Sequence, residues 1–155
     1  MKLNKVLPML AVATFALAAC APKVDYKKFH EKAEAAAKKA KDASFSKVVV
    51  NGSVKYGSMS YEFKDVSVKF ESNKFVAGLD ANEVMVAEFL NGNRAENILE
   101  DKETTYYAGS TFKVEANSKE GKGKMEWNKY GLMTLIDVKA EDESYVAKVT
   151  AKYSK

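Results

Sequence analysis

The chain holds one cysteine and one histidine among 155 residues, and this scarcity limits the chemistry its side chains can perform. Nucleophilic catalysis of the Ser-His-Asp or Cys-His kind needs a base that titrates near neutrality beside the nucleophile. His30 is the only imidazole; it follows Phe29 just off an alanine-rich helical face, where a surface or boundary position is expected. Zinc needs several Cys or His ligands, so no metal site is expected on supply alone. The acidic run Glu141-Asp142-Glu143-Ser144 offers oxygens to calcium, but it lacks the glycine and ligand spacing of a dedicated loop and reads as a solvated hairpin tip. No Gly-x-Gly-x-x-Gly run or phosphate-binding loop occurs. These residues point away from an enzyme, and no cofactor is expected.

The remaining reactive group is Cys20, and its surroundings are specific. Lys2 and Lys5 precede an apolar stretch over residues 6–17, too short to span a bilayer comfortably, which ends in Leu17-Ala18-Ala19-Cys20. Positive start, apolar core, small residues and cysteine in this order resemble the lipobox signal of bacterial lipoproteins. The resemblance implies that a signal peptidase cuts before Cys20, whose thiol and new amino group then carry acyl chains. It divides the chain into an export signal (1–19), a lipidated N-terminus with a short tether (20–25) and one domain (26–155). The competing reading is an uncleaved membrane helix followed by an ordinary thiol. Acylation of the sole cysteine leaves an exported domain with neither disulfide nor free thiol, so packing alone must hold it. At about 0.8 kcal/mol per buried methylene, two or three acyl chains anchor a protein for practical purposes permanently. The expected location is the extracytoplasmic face of a cytoplasmic or outer membrane, with the domain close to the bilayer. Ala21, rather than an acidic residue, follows the cysteine; in bacteria that sort by this position it does not argue for retention at the inner membrane.

Residues 26–43 carry the clearest helical pattern. Phe29, Ala33, Ala36, Ala40 and Ala43 recur at spacings of four and three on one face, with Tyr26 and Ala37 at its edge and Asp25 as N-cap. An alanine face permits close approach to a sheet. Lys28, Lys32 and Lys39 line one flank without a carboxylate; contact with anionic headgroups and simple solvation are both open, and solvation is favoured because acyl chains already supply attachment.

After the helix the period becomes two. Val48, Val50, Val54 and Tyr56 share one face of a strand, and Gly52 keeps their phase, so Asn51-Gly52 reads as a kink within a strand rather than a turn. Gly57-Ser58 suits a two-residue hairpin loop. In the next strand the apolar set slips from odd (Met59, Tyr61, Phe63) to even (Val66, Val68, Phe70), which requires one inserted residue near Lys64-Asp65. Residues 79–101 break the rhythm: Asp80 and Glu83 form a capping-box-like start, a short helix ends at Asn91-Gly92-Asn93, and a further helical turn covers residues 94–99. This segment is the candidate lid or plug. From Thr104 onward four more strands are expected around Phe112, Trp127, Ile136 and Val149, with a turn at Asn128-Lys129-Tyr130-Gly131. No proline follows Pro22 to interrupt a strand.

One helix, two strands, a helical insertion and four strands predict an α+β fold: an N-terminal amphipathic helix packed on a curved antiparallel sheet, with a short helical insertion. This order, with the Tyr-Gly-Leu turn at residues 130–132, resembles the half-barrel of LolA- and LprG-type lipoprotein carriers. The resemblance implies a bent sheet around helices with an apolar cavity for acyl chains. Val50, Val54, Phe63, Val68, Phe112, Trp127 and Ile136 are the candidates to line such a cavity or, equally, to form a solid core.

Net charge is +4, falling to +2 once Lys2 and Lys5 are removed, and lysines alternate with carboxylates along the strands. Such mixing lacks the concentrated basic face that nucleic acid requires, so no nucleic-acid partner is expected. Two functions follow. The first is a non-catalytic interaction or structural module of the cell envelope with a protein partner. The second is a carrier or sensor of a lipid or other amphiphile. A continuous apolar cavity would favour the carrier, and an exposed apolar patch without a cavity the interaction module.

Overall fold

Eight strands beyond residue 44 and a two-residue strand ahead of the helix form one nine-stranded antiparallel sheet in the computed structural model, which describes residues 22–155. The expected export signal and Cys20 lie outside the described residues. The elements are β1 (Lys23–Val24), α1 (Tyr26–Ala40), β2 (Phe45–Tyr56), β3 (Met59–Glu71), β4 (Lys74–Val76), α2 (Ala81–Gly92), a 3-10 turn (Ala95–Asn97), β5 (Thr104–Ala108), β6 (Phe112–Ser118), β7 (Gly121–Trp127), β8 (Met133–Ala140) and β9 (Tyr145–Ser154). Spatial order is β1-β5-β6-β7-β8-β9-β2-β3-β4, so the last strand pairs with the first long one. The fold is α+β. Where six strands were expected the described residues hold nine; β1, β4 and β5 have two, three and five residues, too few for a period of two to declare itself.

Helix ends follow their caps. The Asp25 carboxylate accepts from the Lys28 amide at 2.8 Å, and α1 ends at Ala40 rather than residue 43, with residues 41–42 in a turn. Its buried side chains are Phe29, Ala33, Ala36 and Ala40. At α2, Asp80 accepts from the amides of Asn82 and Glu83, while the Glu83 carboxylate reaches back to the Gly78 amide rather than to the cap residue.

The slip in β3 is a bulge. Val50 opposes Val66 and Gly52 opposes Phe63, so two residues of β3, Lys64 and Asp65, face Asn51 alone. Asp65 takes a left-handed backbone (φ 49°), and its amide donates to Asn51 Oδ1 at 2.8 Å, which compensates the broken ladder. The bulge keeps Phe63 and Val66 on the same face.

That face carries one contiguous hydrophobic core. Phe29 stands against Tyr106, Phe112 and Trp127 at centroid distances of 5.2, 5.8 and 6.0 Å, and Phe45 links Phe70, Tyr130 and Tyr153. Tyr153 donates to the Met133 carbonyl at 2.6 Å, and burial pushes its phenol well above the ordinary value, with Arg94 opposing the shift weakly. A raised phenol contributes its full stability below the unfolded pKa of about 10 and loses it as pH rises toward the folded value. The urea midpoint should therefore fall between pH 9 and 11. In Tyr153→Phe, which starts lower for want of the hydrogen bond, it should fall less over that interval. An equal alkaline loss in both proteins would assign the effect elsewhere. Burial also raises the phenols of Tyr106 and Tyr145, which leaves a residual slope in the variant.

Candidate interaction face

Strand register assembles the seven apolar candidates on one side of the sheet. Directly opposed residues of paired strands share a face. One row runs Phe63, Gly52, Val149, Ile136, Met125, Val114 and Tyr106 from β3 across to β5; neighbouring rows carry Val54 beside Tyr61, Val50 beside Val66, Val68 beside Val48, and Phe112 beside Trp127. Val50, Phe63, Val68, Phe112, Trp127 and Ile136 are buried, and Val54 is half-buried.

Helical elements cover only one end of this face. Val86, Ala87 and Leu90 of α2 are buried, with α2 packed on β3 and β4 while α1 packs on β5 and the 3-10 turn. The segment read as a lid or plug is fastened along its length. Asn91 exchanges two hydrogen bonds with the Phe75 backbone at 2.9 and 3.0 Å, and the Trp127 indole N–H donates to the Asn93 carbonyl at 2.6 Å. The Ala95 amide donates to the Gly131 carbonyl at 3.0 Å, and the hydroxyls of Tyr26 and Tyr106 donate to the carbonyls of Ile98 and Leu99. The Gly131 turn thus docks the 3-10 turn; Gly131 sits at φ 71°, and a Cβ added there would lie 3.4 Å from the Ala95 side chain and 3.8 Å from that of Ala36.

Arg94 is the buried charge in this segment, 7% exposed. Its guanidinium donates to the Asn73 carbonyl at 2.8 Å and to Asn73 Oδ1 at 2.9 Å, faces the Glu96 carboxylate at 2.9 Å, and lies over the Phe70 ring. Asn73 is left-handed (φ 62°) in the β3–β4 turn, so the fork locks a strained hairpin to the end of α2. Sequence reasoning passed over Arg94, although it is the one arginine in a chain with 24 lysines. A planar fork suits this bidentate, ring-stacked site and an ammonium does not. Arg94→Lys should cost about 1–2 kcal/mol in urea unfolding, through loss of one charged hydrogen bond and the stacking. A variant as stable as wild type would remove the fork from the account of the hairpin.

The other end of the face is uncovered. Tyr56 is 63% exposed and Met59 52%, while Val54, Tyr61 and Tyr145 are half-buried beside them. Tyr56 meets Tyr145 edge-on at 6.2 Å, and the Gly57 amide donates to the Ser144 carbonyl at 2.9 Å, joining the β2–β3 and β8–β9 tips. Two shallow clefts open elsewhere on the surface of the described residues. Lys39, Asp42, Ser44, Ser46, Tyr130 and Lys155 line one, and Lys119, Glu120, Glu141, Asp142 and Ser144 line much of the other. None of the seven apolar candidates lines either cleft.

His30 stacks on Tyr26, and its Nε2 lies 3.2 Å from the Glu34 carboxylate, one turn further along α1. Two carboxylates of the acidic tip have close partners. A hydrogen bond from the Ser144 hydroxyl holds the Asp142 carboxyl below its usual range, and Lys139 at 2.8 Å does the same for Glu143. Among the described residues no group of three His, Cys, Asp or Glu side chains is placed to hold a metal ion. No helix of the described residues is long and apolar enough to cross a membrane. No family model, curated protein or solved structure matches the chain.

Proposed function

We propose that this chain is a lipid-anchored, extracytoplasmic lipoprotein that acts as a non-catalytic interaction module of the cell envelope. Cys20 is its lipid attachment point, residues 1–19 its export signal, and residues 26–155 a single domain in which the amphipathic α1 packs on a curved sheet. The observation that carries the interaction reading is the open end of the sheet, where Tyr56 and Met59 stand exposed beside half-buried Tyr61 and Tyr145. Exposed aromatic and methionine side chains beside a packed core are the usual composition of a protein-binding surface. The apolar face at the other end is filled by Phe29, Leu90 and Trp127, as a solid core requires.

Orientation supports the same reading. The chain enters the sheet at Pro22, whose carbonyl accepts from the Ala108 amide at 3.1 Å, at the level of the β5–β6 turn. The β2–β3, β6–β7 and β8–β9 tips lie at the opposite ends of their strands, about 20 Å away at roughly 3.3 Å per residue along β6. A tether at Cys20 would hold the first end toward the bilayer and present the tyrosine end to the envelope.

Intact mass spectrometry of the protein extracted from bacterial membranes tests the reading. The expected mass lacks residues 1–19 and carries a diacylglyceryl group and an N-acyl chain or free amine, and Cys20→Ser retains the precursor mass. A photo-reactive side chain at Tyr56 should then trap an envelope protein that the same group at Thr150, on the opposite face, does not. An unprocessed, unacylated chain would sink the anchor, and equal trapping at both positions the interaction face. A stoichiometric lipid adduct on the detergent-free domain, lost in Ile136→Ala, would turn the reading to the carrier.

A further inference from the structure

The sheet has one long edge without a neighbour. β4 pairs with β3 only at Lys69, Phe70 and Glu71, so among the described residues no strand meets the outer side of residues 59–63. The opposite margin is short, since β1 contributes two residues that cover Tyr106 and Tyr107 of β5. Open edges are normally blunted by lysine, proline or a bulge. Met59-Ser60-Tyr61-Glu62-Phe63 contains none of these and a single charge, Glu62; Lys64 and the Asp65 bulge come immediately after it.

We propose that this edge pairs with the same edge of a second copy of the chain. The Tyr56–Met59 pair closes a two-residue loop and exchanges both backbone bonds across the hairpin. Alternation then turns the bonds of Tyr61 and Phe63 inward to β2 and leaves the N–H and C=O of Ser60 and Glu62 pointing out. Two copies laid antiparallel about Tyr61 place Ser60 opposite the second copy's Glu62, so that both outward-pointing sets are satisfied at once. On the apolar face Met59 then opposes Phe63 and Tyr61 opposes Tyr61, while no like charges stand directly opposite. The contact is isologous, as a two-fold dimer requires, and it covers the exposed Met59.

A five-residue edge falls below the buried area of a standard stable complex, so the dimer is weak in free solution. Confinement of both copies to one bilayer raises their effective concentration and compensates. The inference rests on the open end being an interaction surface, and it names a partner for that end.

The test uses the chain from residue 20 onward with Cys20→Ser, which keeps every core residue among the described ones and has no other cysteine. Sedimentation velocity from about 10 μM to 1 mM should show a reversible dimer. Ser60→Pro, which removes an outward donor, should weaken it at least tenfold with circular dichroism and melting unchanged. Independently of that variant, Tyr61→Cys should form a disulfide-linked dimer on mild oxidation and Thr150→Cys should not. A monomer at every concentration with no Tyr61→Cys cross-link overturns the proposal, as does a dimer indifferent to an intact Ser60→Pro. If the monomer still traps an envelope protein through Tyr56, only the self-pairing is lost; if it traps nothing, the interaction reading goes with it.

Discussion

Trp127→Ala is expected to lower the unfolding free energy by about 4 kcal/mol, within the range for removing a large buried aromatic side chain. Trp127 is 1% exposed and packs edge-on against Phe29. It opposes Phe112 across the β6–β7 pair, and its indole N–H reaches the Asn93 carbonyl at the end of α2. Truncation leaves a cavity between α1 and the sheet and takes the indole donor from the part-buried Asn93 carbonyl. Trp127→Phe keeps most of the packing and loses the hydrogen bond, so it should cost about 1–2 kcal/mol. Urea denaturation with unchanged slope checks both values. If the two variants were equally stable, the ring's bulk would not be what holds α1 to the sheet. Because the α2 segment is fastened through the same indole, amide exchange of Ala95, whose N–H is held by Gly131, should accelerate more in Trp127→Ala than that of the β8–β9 ladder.

Gly52→Ala should be nearly as damaging, at about 3 kcal/mol or more, from addition of a single methyl group. Gly52 has φ 136°, a backbone open in practice to glycine, and lies between β3 and β9 where Phe63 and Val149 oppose it. A Cβ there would run into the Lys148 carbonyl oxygen and lie 2.7 Å from the Val149 α-carbon. Both obstacles are backbone, so β9 must separate from β2, and that pairing joins the first hairpin to the rest of the sheet. Gly57→Ala is the comparison. Gly57 is also left-handed (φ 58°), but nothing lies within 4 Å of a Cβ, so only the conformational cost of about 1 kcal/mol applies. Thermal unfolding of the two variants side by side separates close approach from dihedral strain. Similar losses would mean that β9 can yield at Gly52.

The elements that were legible carried their signals within a few residues. Phe29, Ala33, Ala36 and Ala40 recur with the helical period and are the buried stripe of α1. The parity change between Phe63 and Val66 required a bulge, and Asp65 supplies it. Asp80 caps α2 because its short carboxylate reaches the free amides of the first turn. The three short strands were illegible for the converse reason. Two to five residues contain too few alternations, and each is a strand only because a longer neighbour offers it a ladder.

The candidate site divides along the same line. By itself the sequence determined which residues are apolar, which of them share a face within each strand, and where turns, caps and the bulge must fall, since these follow from backbone geometry over short spans. The tertiary structure decided that β9 joins β2 and that seven separate apolar residues become one face. It also decided that Phe29, Leu90 and Trp127 fill one end of that face while Tyr56 and Met59 stand open at the other. It gave Arg94 its fork, because Asn73 and Glu96 come within reach only when the β3–β4 turn and the end of α2 meet. Strand neighbours depend on summed pairing, loop closure and burial over the whole chain, and no local period encodes that sum.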